Sequence, residues 1–581
     1  MYKLQPAGFF RKTRHLTSDG ILTASDFDAL AKELSVDPWL AQKFGFVAAR
    51  RAETAERVDT HSEGHETTNI ANVGDWIITN MTPYGEALRD SMGQLDTYVI
   101  KADDFERRYV PVHRQSEFGA LYSAKGTVWA IELPGSFDIL GPWKERQKGK
   151  AGYLIRNGDE IYGIEKSVFH RTYDIHGPGA LKLSRPGKKR ILALDGGGVR
   201  GMLTIGFLER LEDALRKQHD NPRLVLSDYF DMIGGTSVGA ILATQLALGE
   251  TVENLRTLFS DWCPTIFRRP AFWRQPQGRI PFIGQYLVPR FDARHLEKRL
   301  KQKLGDLRIG SPALKTGLCI VTKRVDTGSP WVLTNNPRSK FWFGNTERVD
   351  NKLYRLADVV RASAAAPHYF KPHRIQIALD AKEKPGLFVD GGVSPYNNPA
   401  LQMLMLAGID GYGLDWPLGE DNLFIVSIGT GSYRLRSEGG GISAKQAVTA
   451  LSGVIGDGEA LTLTLLQWMA ASHNAWKINS EIGDLSENYL GQRQGLGRPL
   501  LRFRRYDAPL EADWLKDKLN LSFSKVQLDS LRDFTNPRNI AKLHDIGREA
   551  AKRQIQAEHF PDDFKVEAVA TEAKTSAGAR T

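Results

Sequence analysis

Two hydrophobic periods divide the chain. Up to about residue 176, short apolar runs are separated by polar stretches, and Asp75-Trp-Ile-Ile-Thr79, Thr97-Tyr-Val-Ile100, Thr127-Val-Trp-Ala-Ile131 and Gly152-Tyr-Leu-Ile155 each predict a strand. Ser25 to Ala49 instead has apolar residues at helical spacing, with a break at Asp37-Pro38. Beyond residue 190 the period changes. Arg190-Ile-Leu-Ala-Leu194 predicts a buried strand, Leu203 to Lys217 a helix, Tyr229-Phe-Asp-Met-Ile233 a second strand and Val238 to Leu248 a second helix. Further strands are predicted at Gly317–Thr322, Leu387–Val389 and Asn422–Ser427. Strands that alternate with helices predict an α/β fold, a parallel sheet with helices on both faces. Residues 441–560 read as mainly helical, and no repeat appears at a solenoid period.

Glycine, proline and positive charge punctuate residues 176–190, which read as a linker. The expected organisation is therefore a small, mostly β module at 1–175, the linker, an α/β domain at 191–432, its helical continuation at 433–564 and a disordered tail at 565–581. A length of 581 residues fits about four domains, or fewer if one is large. Hydrophobic residues make up 41% and charged residues 25%, so most of the chain can bury a core. No stretch reaches the roughly 18 to 20 apolar residues of a membrane span, so any membrane contact is expected to be peripheral. Met1 to His15 is polar and basic, and the two cysteines, Cys263 and Cys319, give no disulfide framework. A reducing cytoplasm is the expected compartment. Lysine and arginine exceed aspartate and glutamate by 78 − 68 = 10, which suits an anionic partner, or simply a solvated basic surface.

Three constellations could carry chemistry. Leu194-Asp-Gly-Gly-Gly-Val-Arg-Gly201 falls between a predicted strand and a predicted helix, where bare backbone N–H groups at a helix start can cradle an anion or an oxyanion. Gly196, Gly198 and Gly201 also satisfy the dinucleotide pattern, but no acidic strand end follows about 20 residues later to hold a ribose. Gly235-Thr-Ser-Val-Gly239 stands at the next strand-to-helix junction. Its glycines flank Ser237 as in a nucleophile elbow, which lifts a serine hydroxyl above the sheet. A serine needs a base, and six histidines follow: His295, His368, His373, His473, His544 and His559, none in a clear strand-end setting. Phe388-Val-Asp-Gly-Gly392 places Asp390 directly after a short apolar strand, where it can accept the serine proton itself or merely form an Asp-Gly turn.

Taken in order, these three motifs resemble those of the patatin-like phospholipases, lipid acyl hydrolases with a Ser-Asp dyad. Tyr229-Phe-Asp-Met-Ile-Gly-Gly-Thr-Ser237, Val360-Arg-Ala-Ser-Ala-Ala-Ala-Pro-His-Tyr-Phe370 and Gly391-Gly-Val-Ser-Pro-Tyr-Asn-Asn-Pro399 are similar too, over about residues 188–432. The resemblance implies a patatin-like sheet flanked by helices, Ser237 as nucleophile and Asp390 as base. It implies an oxyanion hole at Gly196, Gly197 and Gly198 with Arg200 nearby, an elbow kept by Gly235 and Gly239, and Gly391 and Gly392 opening the turn after the base. Many members have Asp-Gly-Ala where this chain has Asp-Gly-Gly. The implied activity is acyl ester hydrolysis of phospholipids or related lipids through an acyl-enzyme, without metal or organic cofactor. The alternatives are a catalytically quiet lipid-binding or ligand-gated effector, and a Ser-Asp-His hydrolase using, for instance, His368.

A lipid hydrolase must reach a lipid surface. Between Trp262 and Phe291 there is no acidic residue, and arginines such as Arg268 and Arg269 alternate with aromatics such as Phe272 and Trp273. Such a stretch suits an interfacial loop near the mouth of the site, or equally an aromatic core with a solvated rim. Nothing else supports nucleic acid as a partner. His61 and His65 in His-Ser-Glu-Gly-His lack a third ligand, so residues 53–68 read as a solvated loop and no metal site is expected. Met403, Met405 and the Leu401–Leu406 run read as core, and Gln467 to His473 as a packed helix. The N-terminal module faintly resembles, over Tyr98 to Lys101 and Gly152 to Gly163, a small bacterial β domain, and three uses are open to it: sensing a small-molecule or protein regulator, docking a partner, or covering the rest. Oligomeric state is not legible.

Overall fold

Helix gives way to strand early in the chain. Helix α1 (Ala24–Leu34) begins at a Thr23–Asp26 capping box and ends at Ser35, whose backbone is left-handed. Pro38 bars continuation, and β3 (Trp39–Lys43) and β4 (Phe46–Arg51) follow, so the helix expected to reach Ala49 is shorter. Val47, Ala48 and Ala49 are all buried, which removes the alternation that marks a strand in sequence. The chain is described here in a computed structural model, for residues 2–6, 14–36, 38–43, 46–61, 65–81, 87–89, 92–124, 128–142, 146–268, 289–342, 348–380, 382–434, 444–471 and 498–566. Two compact units result, Met1–Gly177 with Phe343–Arg348, and Pro178–Trp342 with Val349–Thr581. The expected tail lies almost wholly outside the described residues.

The first unit is a β structure. Its remaining strands are β1 (Tyr2–Pro6), β2 (Arg14–Ile21), β5 (Glu56–His61), β6 (His65–Ala71), β7 (Trp76–Asn80), β8 (Thr97–Ile100), β9 (Tyr109–Ser116), β10 (Gly119–Ala124), β11 (Val128–Glu132), β12 (Phe137–Leu140), β13 (Arg146–Gly149), β14 (Gly152–Asn157), β15 (Glu160–Glu165) and β16 (Tyr173–His176). The loop expected at residues 53–68 is in fact largely a hairpin, β5 against β6, with His61 opposite His65. Polar residues dominate both strands, so no apolar alternation announces them. Among the described residues no cluster of three potential metal ligands exists.

Two five-stranded sheets, β8-β7-β4-β10-β9 and β15-β14-β11-β3-β16, correspond strand by strand. Tyr98, Phe105 and Tyr109 recur as Tyr162, Phe169 and Tyr173, each 64 residues later by subtraction of their numbers. Helix α2 (Ala102–Arg108) and helix α3 (Lys166–Thr172) are equivalent in the same way. Each half lends its first strand to the other half's sheet: β3 pairs with β11 and β16, and β10 with β4 and β9.

The second unit opens with α4 (Pro178–Ser184), inside the stretch read as a linker. Lys189 looks solvated in sequence, yet it is buried, donates to the Lys182 carbonyl at 2.7 Å and lies over the Trp416 ring. The strands of this unit are β17 (Lys189–Leu194), β18 (Met232–Thr236), β19 (Gly317–Arg324), β20 (Pro330–Thr334), β21 (His373–Ile375), β22 (Gly386–Asp390), β23 (Leu423–Ile428), β24 (Ala470–Ala471) and β25 (Leu501–Tyr506). Their order is β21-β22-β19-β18-β17-β23-β25-β24, with β20 also on β19. From β19 to β24 the pairing is parallel, as expected, whereas β20 and β22 pair antiparallel with β19, and β21 antiparallel with β22. The turn 325–329 between β19 and β20 is too short for a parallel crossover. The expected C-terminal helices do form, including Ala444–Met469 and Ile540–Gln554, but the same region also supplies β25, where Arg502, Arg504 and Arg505 interrupt the apolar run. Helices α5 (Gly201–Gln218), α6 (Leu226–Tyr229), α7 (Val238–Ala247) and α8 (Val252–Ile266) follow the first two strands.

Candidate active site

Ser237 stands between β18 and α7 with φ 56° and ψ −122°, a conformation that costs a side-chain-bearing residue about 1–3 kcal/mol. The surroundings hold it there. Its amide donates to Ser363 Oγ at 2.9 Å, Ser363 Oγ donates to the Val321 carbonyl at 2.6 Å, and Thr236 Oγ1 donates to the Tyr396 carbonyl at 2.7 Å. The flanking glycines have no room for side chains: a Cβ on Gly235 would come within 2.1 Å of the Gly239 backbone, and one on Gly239 within 2.2 Å of the Leu194 carbonyl oxygen.

Asp390 ends β22 opposite Thr322 of β19, and its amide donates to the Ala365 carbonyl at 3.0 Å. Ser237 Oγ donates to Asp390 Oδ2 at 2.6 Å, and the Gly392 amide donates to Oδ1 at 2.7 Å. The carboxyl is 4% exposed. Burial pushes its pKa up to about 6, against the Ser237 and Gly392 hydrogen bonds and the charge of Arg361, which favour the ionised form. Arg361 is itself buried, donating to Glu297 at 3.2 Å and to the Lys371 carbonyl at 2.9 Å.

The glycine turn completes the group. Gly198 has φ +58°, and a Cβ there would meet the Phe534 carbonyl oxygen at 2.2 Å, so only glycine fits. Gly196 donates its amide to the Asn397 carbonyl at 3.1 Å, and Val199 donates to the Phe534 carbonyl at 2.8 Å. Among the described residues, the amides of Gly197 and Gly198 have no backbone acceptor. Arg200 Nη1 donates to the Gly431 carbonyl at 2.8 Å, and its guanidinium lies over the Tyr433 ring. Of the four residues expected around an oxyanion, Gly196 and Arg200 thus already bond elsewhere, and Gly197 and Gly198 are the ones with amides to offer.

Ser237, Asp390, Gly196, Gly197, Gly198, Arg200 and Gly392 line one cavity of about 230 Å³. Its far wall is apolar, formed by Ile241, Phe259, Trp262, Ile266, Leu296 and Phe370. Trp262 and Phe291, which bracket the stretch expected at an interface, are 5% and 4% exposed; Trp262 lines the cavity, and Phe291 packs on Phe267 and Phe370. Arg268 is exposed, and Arg269, Phe272 and Trp273 lie outside the described residues. His368 lines the cavity, its pKa lowered by burial and by Arg290. His373, His544 and His559 bond to Asp358, Glu209 and Tyr506 respectively. His473 lies outside the described residues.

Sequence reasoning missed Arg505. It lies beneath the glycine turn, with Nη2 at 2.7 Å from Asp195, 2.6 Å from Glu459 and 3.7 Å from Asp507, and with Nη1 donating to Ser427 Oγ at 2.8 Å. Asp507 in turn accepts the amides of Gly431 and Ser432 at 2.7 and 3.0 Å. Burial holds the Asp195 carboxyl well above the usual carboxylate range, with the charges of Glu459 and Asp507 adding to the effect and Arg505 opposing it. The one sequence signal was an arginine run beside an aromatic pair, and only the register Ser427–Arg505 turns it inward.

Fold and site together define an α/β protein with a serine elbow after β18 and, hydrogen-bonded to it, an aspartate at the end of β22, the two strands lying on either side of β19. Residues 192–404 match the sequence model of the family described as patatin-like phospholipase. It is 28% identical over 304 residues to the cGAMP-activated phospholipase of Escherichia coli (strain TW11681), which takes in 52% of this chain and 78% of that one. It is 30% identical over 218 residues to Patatin-17 of Solanum cardiophyllum, covering 37% of this chain and 52% of the relative. The chain thus spans about half the length of that patatin. Among solved structures, human GIVD cytosolic phospholipase A2 is similar at a TM-score of 0.29 and 9% identity, over 88% of this chain and 96% of that one. VipD from Legionella pneumophila is similar at a TM-score of 0.25 and 13% identity, over 65% and 68%. Likeness at those scores decides nothing about the site.

Proposed function

We propose that the protein is a serine lipid acyl hydrolase of the phospholipase A or esterase type. The observation that carries this reading is the Ser237–Asp390 hydrogen bond in a cavity with one apolar wall, within a domain of a phospholipase family. In the proposed reaction Asp390 takes the Ser237 proton as Oγ attacks the ester carbonyl. The oxyanion of the tetrahedral intermediate is met by the Gly197 and Gly198 amides. The intermediate collapses to the acyl-enzyme, and the alcohol leaves with the proton returned by Asp390. Water then attacks the acyl carbonyl as Asp390 accepts its proton, and the proton passes back to Ser237 when the fatty acid departs. A carboxyl with a pKa near 6 is ionised above neutral pH and still more basic than an exposed aspartate, which supports Asp390 as base without histidine.

The substrate is an acyl lipid drawn from a surface, and Arg268, Arg269, Phe272 and Trp273 are the proposed contact with it, on the alternation of arginine and aromatic residues in that stretch. No helix among the described residues is long and apolar enough to cross a membrane, which fits a peripheral mode of action. The E. coli relative is a cGAMP-activated phospholipase, and the N-terminal unit is the proposed place for a regulator here.

The test is fatty-acid release from phospholipid vesicles and from a soluble p-nitrophenyl ester by wild type, Ser237→Ala and Asp390→Asn. Loss of both activities in both folded variants is expected. Retained activity in Asp390→Asn would return the role of base to His368, and an inert wild type that also fails to react with a fluorophosphonate would favour the quiet lipid-binding reading.

A further inference from the structure

One peptide of the glycine turn is flanked by Gly196 and Gly197, and neither carries a Cβ to resist its rotation. That peptide supplies the Gly197 amide, one of the two proposed to meet the oxyanion. It has two faces to present. With its N–H toward the cavity it attracts a developing negative charge, and turned over it would offer a carbonyl oxygen and repel one.

A restraint on this peptide comes from the neighbouring strand. Strand β23 pairs with β17, Ile428 opposite Leu194, and Thr430 follows two residues beyond. Its hydroxyl donates to the Gly196 carbonyl at 2.9 Å in a buried hydrogen bond. A Cβ on Gly197 would come within 2.2 Å of Thr430 Oγ1, whereas one on Gly196 would come within 3.2 Å of the Ser237 Cβ, so the peptide lies between those two residues. The peptide is trans, and its N–H therefore points opposite to its C=O. A carbonyl drawn to Thr430 turns the Gly197 N–H to the Ser237 side. Gly197 and Ser237 both line the cavity, and Thr430 is not part of that lining. The other amide is set within the turn itself, because the Gly197 carbonyl accepts the Arg200 amide at 3.1 Å and so orients the Gly198 N–H.

Thr430 is held from both sides. Before it, Gly429 donates its amide to the Tyr506 carbonyl at 2.9 Å and accepts Thr204 Oγ1 at 2.8 Å. After it, the Gly431 and Ser432 amides rest on Asp507. Arg505 reaches both Asp507 and Asp195, so one guanidinium ties together the two segments that the Thr430–Gly196 bond joins.

We propose that Thr430 is a positioning residue for acyl transfer: its hydroxyl holds the Gly196–Gly197 peptide with the N–H toward the oxyanion and bars the flipped form. The inference rests on the hydrolase reading above and adds to it a residue outside the cavity. Leaving the Gly196 carbonyl unpaired costs stability whatever the role of Thr430, so melting does not separate positioning from packing, and transition-state affinity does.

The test compares wild type with Thr430→Val, Thr430→Ala and Thr430→Ser on the soluble p-nitrophenyl ester and on two inhibitors of matched chain length. One is an alkyl trifluoromethyl ketone, to whose carbonyl carbon Ser237 Oγ adds, leaving an oxyanion on the former ketone and the serine proton on Asp390. The other is the alkyl alcohol, which forms no oxyanion. In Thr430→Val, kcat is expected to fall roughly 10- to 100-fold with KM within about threefold of wild type. Affinity for the ketone should fall by a similar factor, and affinity for the alcohol should stay within about twofold. Thr430→Ser keeps the donor and should recover most of the loss, while Thr430→Ala should not. An unchanged kcat in Thr430→Val, or equal losses of ketone and alcohol affinity, would overturn the proposal and leave the hydrolase reading standing. If Thr430→Val fails to fold, equal kcat in Thr430→Ala and Thr430→Ser overturns it instead. A wild type that neither cleaves the ester nor reacts with a fluorophosphonate removes the hydrolase reading, and this inference with it.

Discussion

Asp195 and Asp390 are local twins with opposite surroundings. Each is set at the end of a strand of the same sheet, each is followed by glycines, and each has its pKa raised chiefly by burial. Asp390 faces a hydroxyl and an amide, so its second lone pairs and its proton remain free to move. Asp195 faces Arg505, which Glu459 and Asp507 also share, so its carboxyl is locked into a structural cluster. An Asp-Gly-Gly sequence therefore creates a strand-end carboxylate, and its partners decide how far it is held.

The comparison can be broken in several ways. The largest effect is expected at Ser237: Ser237→Ala should lower kcat for ester hydrolysis by roughly 10⁴-fold or more, with Asp390→Asn close behind, measured as fatty-acid release. Next is Arg505→Met, which leaves the buried Asp195 and Asp507 and the half-buried Glu459 without their cation and should cost about 3–5 kcal/mol in denaturant unfolding, whereas Arg505→Lys should recover part of that. Asp390 then offers a test of sign. Its folded pKa of about 6 exceeds the ordinary 3.8, so the folded state holds this proton more tightly and stability falls as pH rises between those values. Asp390→Asn should accordingly be more stable to unfolding than wild type at pH 7.5, by on the order of 2 kcal/mol, while being inactive. In wild type the same titration should make kcat/KM rise with pH and level off above about 6. The smallest effect belongs to the other twin. Asp195→Asn mimics the protonated carboxyl and leaves Glu459 and Asp507 on Arg505, so it should shift stability by less than about 1 kcal/mol.

What was legible in sequence is what short-range pattern controls. Ser237 lies between a buried strand and an apolar helix, and its two close-packed glycines announce the elbow; Asp390 and the turn at Gly196–Gly198 follow the same logic. What was not legible depends on partners far away in the chain. Arg505 reads as surface until β25 is laid beside β23, and the engagement of the Gly196 amide requires Asn397. Strand β4 hides because both its faces are buried, and the β5–β6 hairpin because it is mostly polar. The duplication escaped notice because an insertion separates β7 from β8, while β14 and β15 are nearly contiguous, so only the Tyr-Phe-Tyr spacing survives at a constant offset.

The exchange of first strands within the N-terminal unit sets an order on its assembly. During synthesis β3 is complete at residue 43 but has its own neighbours only once β11, and then β16 ending at residue 176, have followed. The first sheet likewise stays open until β10 arrives. Neither half can be finished by itself, and a chain cut between them would leave two fragments, each with a strand for the other and a gap where the other's strand belongs.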